Sequence, residues 1–368
     1  MKILVTGGAG FIGSNYIHTV LREHPEDEVI VLDVLAYSGN EQNLASVRNN
    51  PRFRFVKGDI CHSATVRPLV AEVDAVVHFA AESHVDRSIK DATPFVRSNV
   101  LGTQVLLDAC VEHGNKRFHH VSTDEVFGSL GMSGAFSEHT PYDPRSPYSA
   151  SKAASDHLVR AAYHTHGLPI TISNCSNNYG PYQYPEKLLP LFITNLMDKK
   201  RVPLYGDGMN IRDWIYVEDH CRGVDMALRK GRIGETYCFG ARCERSNAEI
   251  VRLILFEMGE SSDMIQYVED RKGHDRRYAI DPTKAEQELG WEPTTPFLHG
   301  LRKTIDWYRT NEAWWRPLKK EMRSPSALAC LPDRQEDSSY GGLGLKRNEK
   351  DIRDSNSVLR TSHSMPQL

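Results

Sequence analysis

The sequence holds no run of about 18 apolar residues, so no membrane-crossing helix is expected. It has no large excess of either charge, with 45 Lys and Arg against 48 Asp and Glu. The net charge of −3 gives no reason to expect nucleic acid or an anionic membrane surface as partner. It has no CxxC pair, and its cysteine count of 7 is odd: Cys61, Cys110, Cys175, Cys221, Cys238, Cys243 and Cys330. Reduced core thiols in a cytoplasmic protein are expected. A zinc knuckle from Cys238 and Cys243 has the wrong spacing and no following His pair, so no metal is expected. Met1–Val5 enters a strand pattern at once, so no signal peptide is expected. No internal repeat is visible. The 368 residues are 40% hydrophobic and 25% charged, ordinary for a soluble globular protein, and the length suggests two domains.

What is present is alternation. Apolar runs at 2–6, 28–33, 52–57, 75–80, 117–122 and 168–174 read as strands. Helical patterns fall between them at 10–23, 64–70, 94–112 and 147–166. Nearly continuous apolar strands joined by helices predict an α/β fold with a Rossmann-type doubly wound parallel sheet. The last helix is clearly bounded by Ser146 as N-cap, Pro147 in its first turn and Gly167 at its end. After about residue 175 Pro, Gly, Tyr and Asn become dense. The predicted organisation is a nucleotide-binding domain over 1–174 and a smaller mixed α/β substrate-binding lobe over 175–320. A tail at 324–368, rich in Ser, Arg, Asp, Asn and Gly, is expected to be disordered.

Gly7, Gly10 and Gly13 follow the first strand and open the first helix as GxxGxxG. Backbone without Cβ there lets a pyrophosphate rest on the amide groups of a helix N-terminus. Asp33 ends the second strand, where a carboxylate accepts from adenosine ribose hydroxyls and repels a 2′-phosphate, which favours NAD over NADP. Asp59 and Ile60 end another strand, a weaker signal for an adenine contact.

Tyr148 and Lys152 are four apart on one predicted helix and so share a face. An ammonium beside a phenol lowers its pKa and makes it a better general base. Thr123, Asp124 and Glu125 follow an apolar strand at the sheet edge where open α/β folds place ligands. Eliminating water requires an acid on the leaving oxygen and a base on the neighbouring carbon. Adjacent carboxylates on an extended segment point in different directions and can serve two atoms of one sugar.

These stretches resemble the extended short-chain dehydrogenase/reductase family, and within it the dTDP-glucose 4,6-dehydratases. The likeness runs from Met1 to about Trp315. It is carried by TGGAGFIGS at 6–14, HFAAESHVDRSI at 78–89, HHVSTDEVFGSL at 119–130 and SPYSASKAASDHL at 146–158. It continues in NCSNNYGPYQYPEKLLP at 174–190, LYGDGMNIRDWIYVEDH at 204–220 and RKGHDRRYAID at 271–281.

The resemblance implies a sequence of steps. Tyr148, primed by Lys152 and helped by Thr123, takes the proton of the sugar C4 hydroxyl as hydride passes to NAD. Glu125 then removes the C5 proton, Asp124 protonates the departing C6 hydroxyl, and hydride returns to C6. It further implies Phe11, Ile12, Asp33, Asp59, Ile60, Ala80, Ser83, Tyr148, Lys152 and Asn178 around NAD. Around the nucleotide sugar it implies His84, Asn177, Lys187, Leu188, Pro203, Tyr205, Arg212, Asn247, Arg271 and His274. Of these, Arg212 and Arg271 suit a diphosphate and Tyr205 a stacked base. Where the family carries YNIGG this chain has Tyr237-Cys238-Phe239-Gly240-Ala241, which alters the loop leading to Asn247.

Three alternatives stay open. A UDP- or CDP-glucose 4,6-dehydratase would share the same chemistry. A 4-epimerase or decarboxylase on this scaffold is disfavoured by the Asp124–Glu125 pair. A non-catalytic NAD-binding sensor or scaffold is disfavoured by the presence of both Tyr148 and Lys152. Apolar and small residues on more than one face of the 94–112 and 147–166 helices predict a homodimer.

Overall fold

The computed structural model describes residues 1–270 and 274–321. The predicted tail at 324–368 and Arg271 lie outside the described residues.

The first half alternates as its sequence pattern predicts: β1 (Lys2–Thr6), α1 (Phe11–Glu23), β2 (Glu28–Asp33), β3 (Phe53–Lys57), α2 (Ser63–Ala71) and β4 (Ala75–His78). There follow α3 (Val85–Lys90), α4 (Thr93–Phe95), α5 (Thr103–Glu112), β5 (Arg117–Thr123), α6 (Pro147–His166) and β6 (Ile170–Cys175). The predicted 94–112 helix is one rod from α4 to α5, interrupted by a π-helical stretch at Val96–Gly102. At α6, Ser146 and Ser149 form a reciprocal capping box and Gly167 closes the helix in the left-handed conformation at φ 65°.

The second half holds β7 (Asn177–Tyr179), α7 (Leu188–Met197), β8 (Val202–Tyr205), β9 (Ile211–Tyr216), α8 (Val217–Arg229), β10 (Thr236–Phe239) and β11 (Glu244–Ser246). It ends with α9 (Asn247–Met258), β12 (Ile265–Val268), α10 (Thr283–Leu289), α11 (Phe297–Thr310) and α12 (Glu312–Glu321).

The main sheet runs β10-β6-β5-β4-β1-β2-β3, and every pairing in it is parallel. The order reverses at β1 and β4, the switch point where such sheets bind ligands. Alternate residues of one strand feed two cores. Leu4, Ile30 and Val76 pack under α2, α5 and α6. Ile3, Val5, Val29, Val31 and Val77 pack with Tyr16, Ile17 and Val20 of α1 and Cys221 and Val224 of α8.

A division of the chain at residue 174 does not follow the sheet. The strand at its edge is β10, paired in parallel to β6 from Thr236↔Ile172 to Phe239↔Cys175, and α8 covers the face that α1 covers. The chain enters the second lobe, returns to the Rossmann layer for α8 and β10, and leaves again. Tyr179, Phe192, Trp214, Ile250, Leu301 and Trp315 form the separate core of that lobe, beside small sheets β11-β9-β7 and β12-β8. The six described cysteines are free thiols. Among the described residues no helix is long and apolar enough to cross a membrane and no His/Cys/Asp/Glu group is placed to hold a metal.

Candidate active site

A cavity of about 330 Å³ opens at the C-terminal ends of β1, β4, β5 and β6. Its walls include Gly7, Gly10, Phe11, Ile12, Gly13, Asp33, Asp59, Ile60, Ala80, Ser83, Tyr148, Lys152 and Asn178. Those are all the residues expected around NAD. Thr123, Asp124, Glu125, Asn177 and Lys187 line it too.

Its floor is the β1–α1 turn. Gly7 sits at φ 70°, and a Cβ on it would lie 2.6 Å from the Ala80 backbone nitrogen. The strand ends are packed too closely there for any side chain. A Cβ on Gly10 would meet only the Gly7 carbonyl, at 3.2 Å, so Gly10 faces open space. Gly10 also caps α1 without a side-chain hydrogen bond, which leaves the helix's first N–H groups pointing into the cavity. A bare helix N-terminus, a glycine cradle and a carboxylate at the next strand end fit a dinucleotide.

That carboxylate is Asp33. Its Oδ2 accepts the Ala9 N–H at 2.9 Å and its Oδ1 the Leu35 N–H at 2.8 Å. Each oxygen keeps a lone pair for a ligand hydroxyl. Burial pushes its pKa up against those two hydrogen bonds.

The two carboxylates do not lie on an extended segment, as their sequence suggested. Asp124–Phe127 is a single 3-10 turn capped by Thr123. Thr123 Oγ1 accepts the Glu125 N–H at 3.2 Å and donates to Asp124 Oδ1 at 3.2 Å. The turn separates the environments of the two side chains instead of pleating them apart. Asp124 is buried with Oδ2 lacking a hydrogen-bond partner. Burial first, then the Glu125 charge, raises its carboxyl well above the usual range. That favours the protonated acid. Arg212 opposes the shift, which brings β9 within electrostatic reach of the turn.

The Tyr148–Lys152 pair also differs from expectation. The Tyr148 hydroxyl is pushed well above its ordinary pKa, by burial first and then by Glu125, Cys175 and Asp124, while its hydrogen bond with Thr123 acts the other way. The Lys152 ammonium donates to the Val121 carbonyl at 2.8 Å and lies 3.4 Å from His120 Nε2. In a buried site ringed by carboxylates, the desolvation and repulsion of a phenolate outweigh one ammonium tied to the backbone.

The residues expected around the nucleotide sugar are less concentrated. Asn177 and Lys187 reach the cavity, and Lys187 Nζ donates to the Ser83 carbonyl at 3.3 Å. His84, Leu188, Pro203, Tyr205, Arg212, Asn247 and His274 do not line it. His84 caps α3, with its Nε2 3.4 Å from Glu186. Leu188 opens α7, and Pro203 and Tyr205 sit on β8. Arg212, expected as a fork for a diphosphate, instead donates to the Ile211 and Asp275 carbonyls at 2.7 and 2.9 Å over the Tyr278 ring. Asn247 opens α9, its Oδ1 buried without a partner. His274 Nδ1 lies 2.6 Å from Asp270.

Several wall residues escaped the sequence reading, Cys175, Ser176 and Gln183 among them. Cys175 and Ser176 line the cavity beside Tyr148, and the buried Ser176 Oγ lacks a hydrogen-bond partner. Their signal was position, directly before Asn177 and Asn178. Gln183, also in the wall, donates to the Asn178 carbonyl at 2.9 Å, and only the tertiary fold brings it there.

Comparison with known proteins points to one family. A family model described as "GDP-mannose 4,6 dehydratase" matches residues 4–304. The chain is 53% identical over 332 residues to a dTDP-glucose 4,6-dehydratase of Streptomyces antibioticus, covering 89% of this chain and 98% of that one. It is 55% identical over 327 residues to the dTDP-glucose 4,6-dehydratase of Mycolicibacterium smegmatis, covering 88% and 98%. A Streptomyces venezuelae dTDP-glucose 4,6-dehydratase, solved with NAD and dTDP bound, superposes with a TM-score of 0.85 at 52% identity, covering 86% of this chain and 100% of that one. The chain belongs to the GDP-mannose 4,6-dehydratase family of extended short-chain dehydrogenase/reductase proteins, on the dTDP-glucose 4,6-dehydratase branch.

Proposed function

We propose that this chain is an NAD-dependent dTDP-glucose 4,6-dehydratase, converting dTDP-glucose to dTDP-4-keto-6-deoxyglucose and water. The observation that carries the reading is the capped turn at Thr123–Glu125, which sets a buried acid and a second carboxylate beside Tyr148 in one cavity with the glycine cradle. An epimerase or decarboxylase has no use for that acid–base pair.

Bound NAD would accept hydride from the sugar C4 and return it to C6, and its cationic ring would favour a phenolate nearby. The chain's residues handle protons. Tyr148 takes the proton of the C4 hydroxyl, with Thr123 holding the phenol oxygen. Glu125 takes the C5 proton, made acidic by the C4 ketone, and later returns it. Asp124, kept as an acid by burial, gives its proton to the C6 oxygen as water leaves. The proton gained at C4 balances the one given at C6, so the conversion is proton-neutral.

Lys187, Asn177 and His84 stand at the sugar end. Tyr205, Arg212, Asn247 and His274 belong to the nucleotide end, which supposes that Arg212 turns from its carbonyl partners towards the diphosphate. In the division of labour proposed, residues 1–174 with α8 and β10 hold NAD, and the remainder to 320 holds the nucleotide sugar. The enzyme acts as a cytoplasmic homodimer, in keeping with its free thiols.

The test is incubation of purified protein with dTDP-glucose, UDP-glucose and CDP-glucose in turn, first without added cofactor. The readout is the alkali-induced absorbance of a 4-keto-6-deoxy sugar, with loss of one water by mass. Turnover of dTDP-glucose alone is expected. Turnover of only UDP- or CDP-glucose moves the base specificity, and none with any substrate, even with NAD added, overturns the reading.

A further inference from the structure

We propose that Asp156 is a positioning residue for the reaction, the buried counter-charge that keeps Lys152 an ammonium and holds it against the reacting end of the cavity. The inference rests on the roles given above to Tyr148 and Lys152.

Asp156 follows Lys152 by one turn of α6 and is fully buried. Its Oδ2 accepts from Ser122 Oγ at 2.8 Å and from the Tyr142 hydroxyl at 2.8 Å. Its Oδ1 lies 3.1 Å from His120 Nε2. That same nitrogen is 3.4 Å from Lys152 Nζ, so a single imidazole separates ammonium from carboxylate. Arg160 Nη2 donates to the Tyr142 hydroxyl at 3.3 Å and steadies it from outside.

The charges in this cluster are few. His120 is held neutral by burial and by the Lys152 charge, with its pKa lowered to about 4. Cys175, the other group acting on Lys152 from β6, is a thiol that burial keeps protonated. Tyr148 on the same helix is neutral at rest. Asp124 and Glu125 on the turn after β5 bear on Tyr148. Asp156 is therefore the charged group among those acting on Lys152. A fully buried ammonium without such a partner sheds its proton, because desolvation penalises the charged form. Neutral Lys152 would leave Tyr148 with its Thr123 hydrogen bond but no residue charge to offset the carboxylates around it. The cluster does not lead to solvent: His120 and Asp156 are 0% exposed and Lys152 4%. A sealed pair suits a proton-neutral reaction, which has no proton to export.

The experiment is the pH dependence of kcat/KM for Asp156→Asn, with bound NAD and thermal melting measured on the same preparation. The acid limb, where Tyr148 titrates, is expected to move up by about one pH unit, with roughly tenfold lower activity on that limb. KM is expected to change less than about threefold, and NAD content to hold. The sign decides. If Lys152 stays charged without Asp156, deleting a negative charge lowers the Tyr148 pKa and moves the limb down. A downward shift or none overturns the proposal.

A second arm isolates the route. In a Lys152→Arg background the cation cannot be discharged, so adding Asp156→Asn is expected to move the limb down, not up, from where Lys152→Arg alone puts it. An equal shift in both backgrounds overturns the proposal. If Asp156→Asn does not fold, Tyr142→Phe removes one hydrogen bond from Asp156 and keeps its charge. A smaller upward shift is then expected, and no shift overturns. Wild-type turnover of dTDP-glucose is measured first. Its absence would count against the function, while the limb would still be read on whichever nucleotide sugar the protein does convert.

Discussion

Asp124 and Glu125 are neighbours on one 3-10 turn, and the Glu125 charge helps hold the Asp124 carboxyl well above its usual range. The raised Asp124 carboxyl suits the roles proposed for the pair, Asp124 as proton donor and Glu125 as proton acceptor. Replacing the acceptor is expected to stop the reaction midway. Glu125→Gln should lower product formation by at least about 100-fold, in the range ascribed to a general base. NAD should stay bound and absorbance at 340 nm should appear on mixing with substrate, because C4 oxidation needs only Tyr148. Wild-type rates of 4-keto-6-deoxy product from the purified variant would show that the C5 base lies elsewhere.

The buried acid has a stability consequence of opposite sign to its catalytic one. The folded Asp124 carboxyl titrates above its unfolded value of 3.8. Its contribution is complete below that pH and is lost as pH rises through the folded value. Asn cannot ionise and escapes the loss. Asp124→Asn should therefore melt higher than wild type at pH 7–8, on the order of a few degrees. The gain should fade as pH is lowered towards about 4, while activity is down at every pH. A variant melting lower than wild type at pH 8 would mean that Asp124 is not held as an acid.

The fold was legible where local pattern and tertiary demand coincide. The strand–GxxGxxG–helix entry, the Asp33 strand end and the Ser146–Gly167 limits of α6 all stand where the sequence puts them, because turn chemistry and capping are local. The Thr123–Glu125 segment was misread as extended, since nothing in three residues distinguishes a strand end from a capped turn. The β10 strand was missed for another reason. It is only four residues long and follows a short turn holding Gly231 and Gly234, and its place beside β6 is a long-range pairing that periodicity cannot report. Asp156 carried a visible sign, the one-turn spacing from Lys152, but its meaning depends on His120 and Ser122 arriving from β5.

The two glycines of the cradle should separate folding from binding. Gly7→Ala places a Cβ 2.6 Å from the Ala80 nitrogen at φ 70°, so backbone must move. A loss on the order of 1–3 kcal/mol or more is expected, visible as a lower melting temperature. Gly10→Ala meets only the Gly7 carbonyl at 3.2 Å. The fold should survive, with melting of the NAD-free protein near wild type, while NAD affinity falls at least about tenfold because the methyl occupies diphosphate space. Unchanged NAD retention in Gly10→Ala would remove the pyrophosphate from this turn.

The remaining expectation concerns assembly. Ile89 on α3 and Val96 and Leu101 in the π-helical stretch are 49%, 55% and 49% exposed. Val96 and Leu101 lie on the rod running from α4 to α5, and that rod packs beside α6. A two-fold partner presenting the same helices would bury these side chains in an isologous four-helix contact, each buried side chain contributing about 1.5–3 kcal/mol of hydrophobic stabilisation at most. Light scattering should report twice the chain mass at micromolar concentration. The double variant Val96→Asp, Leu101→Asp should shift it to one chain mass, because a desolvated carboxylate in the seam costs more than the contact returns. A wild-type monomer, or a variant that remains a dimer, would place the assembly surface on another face.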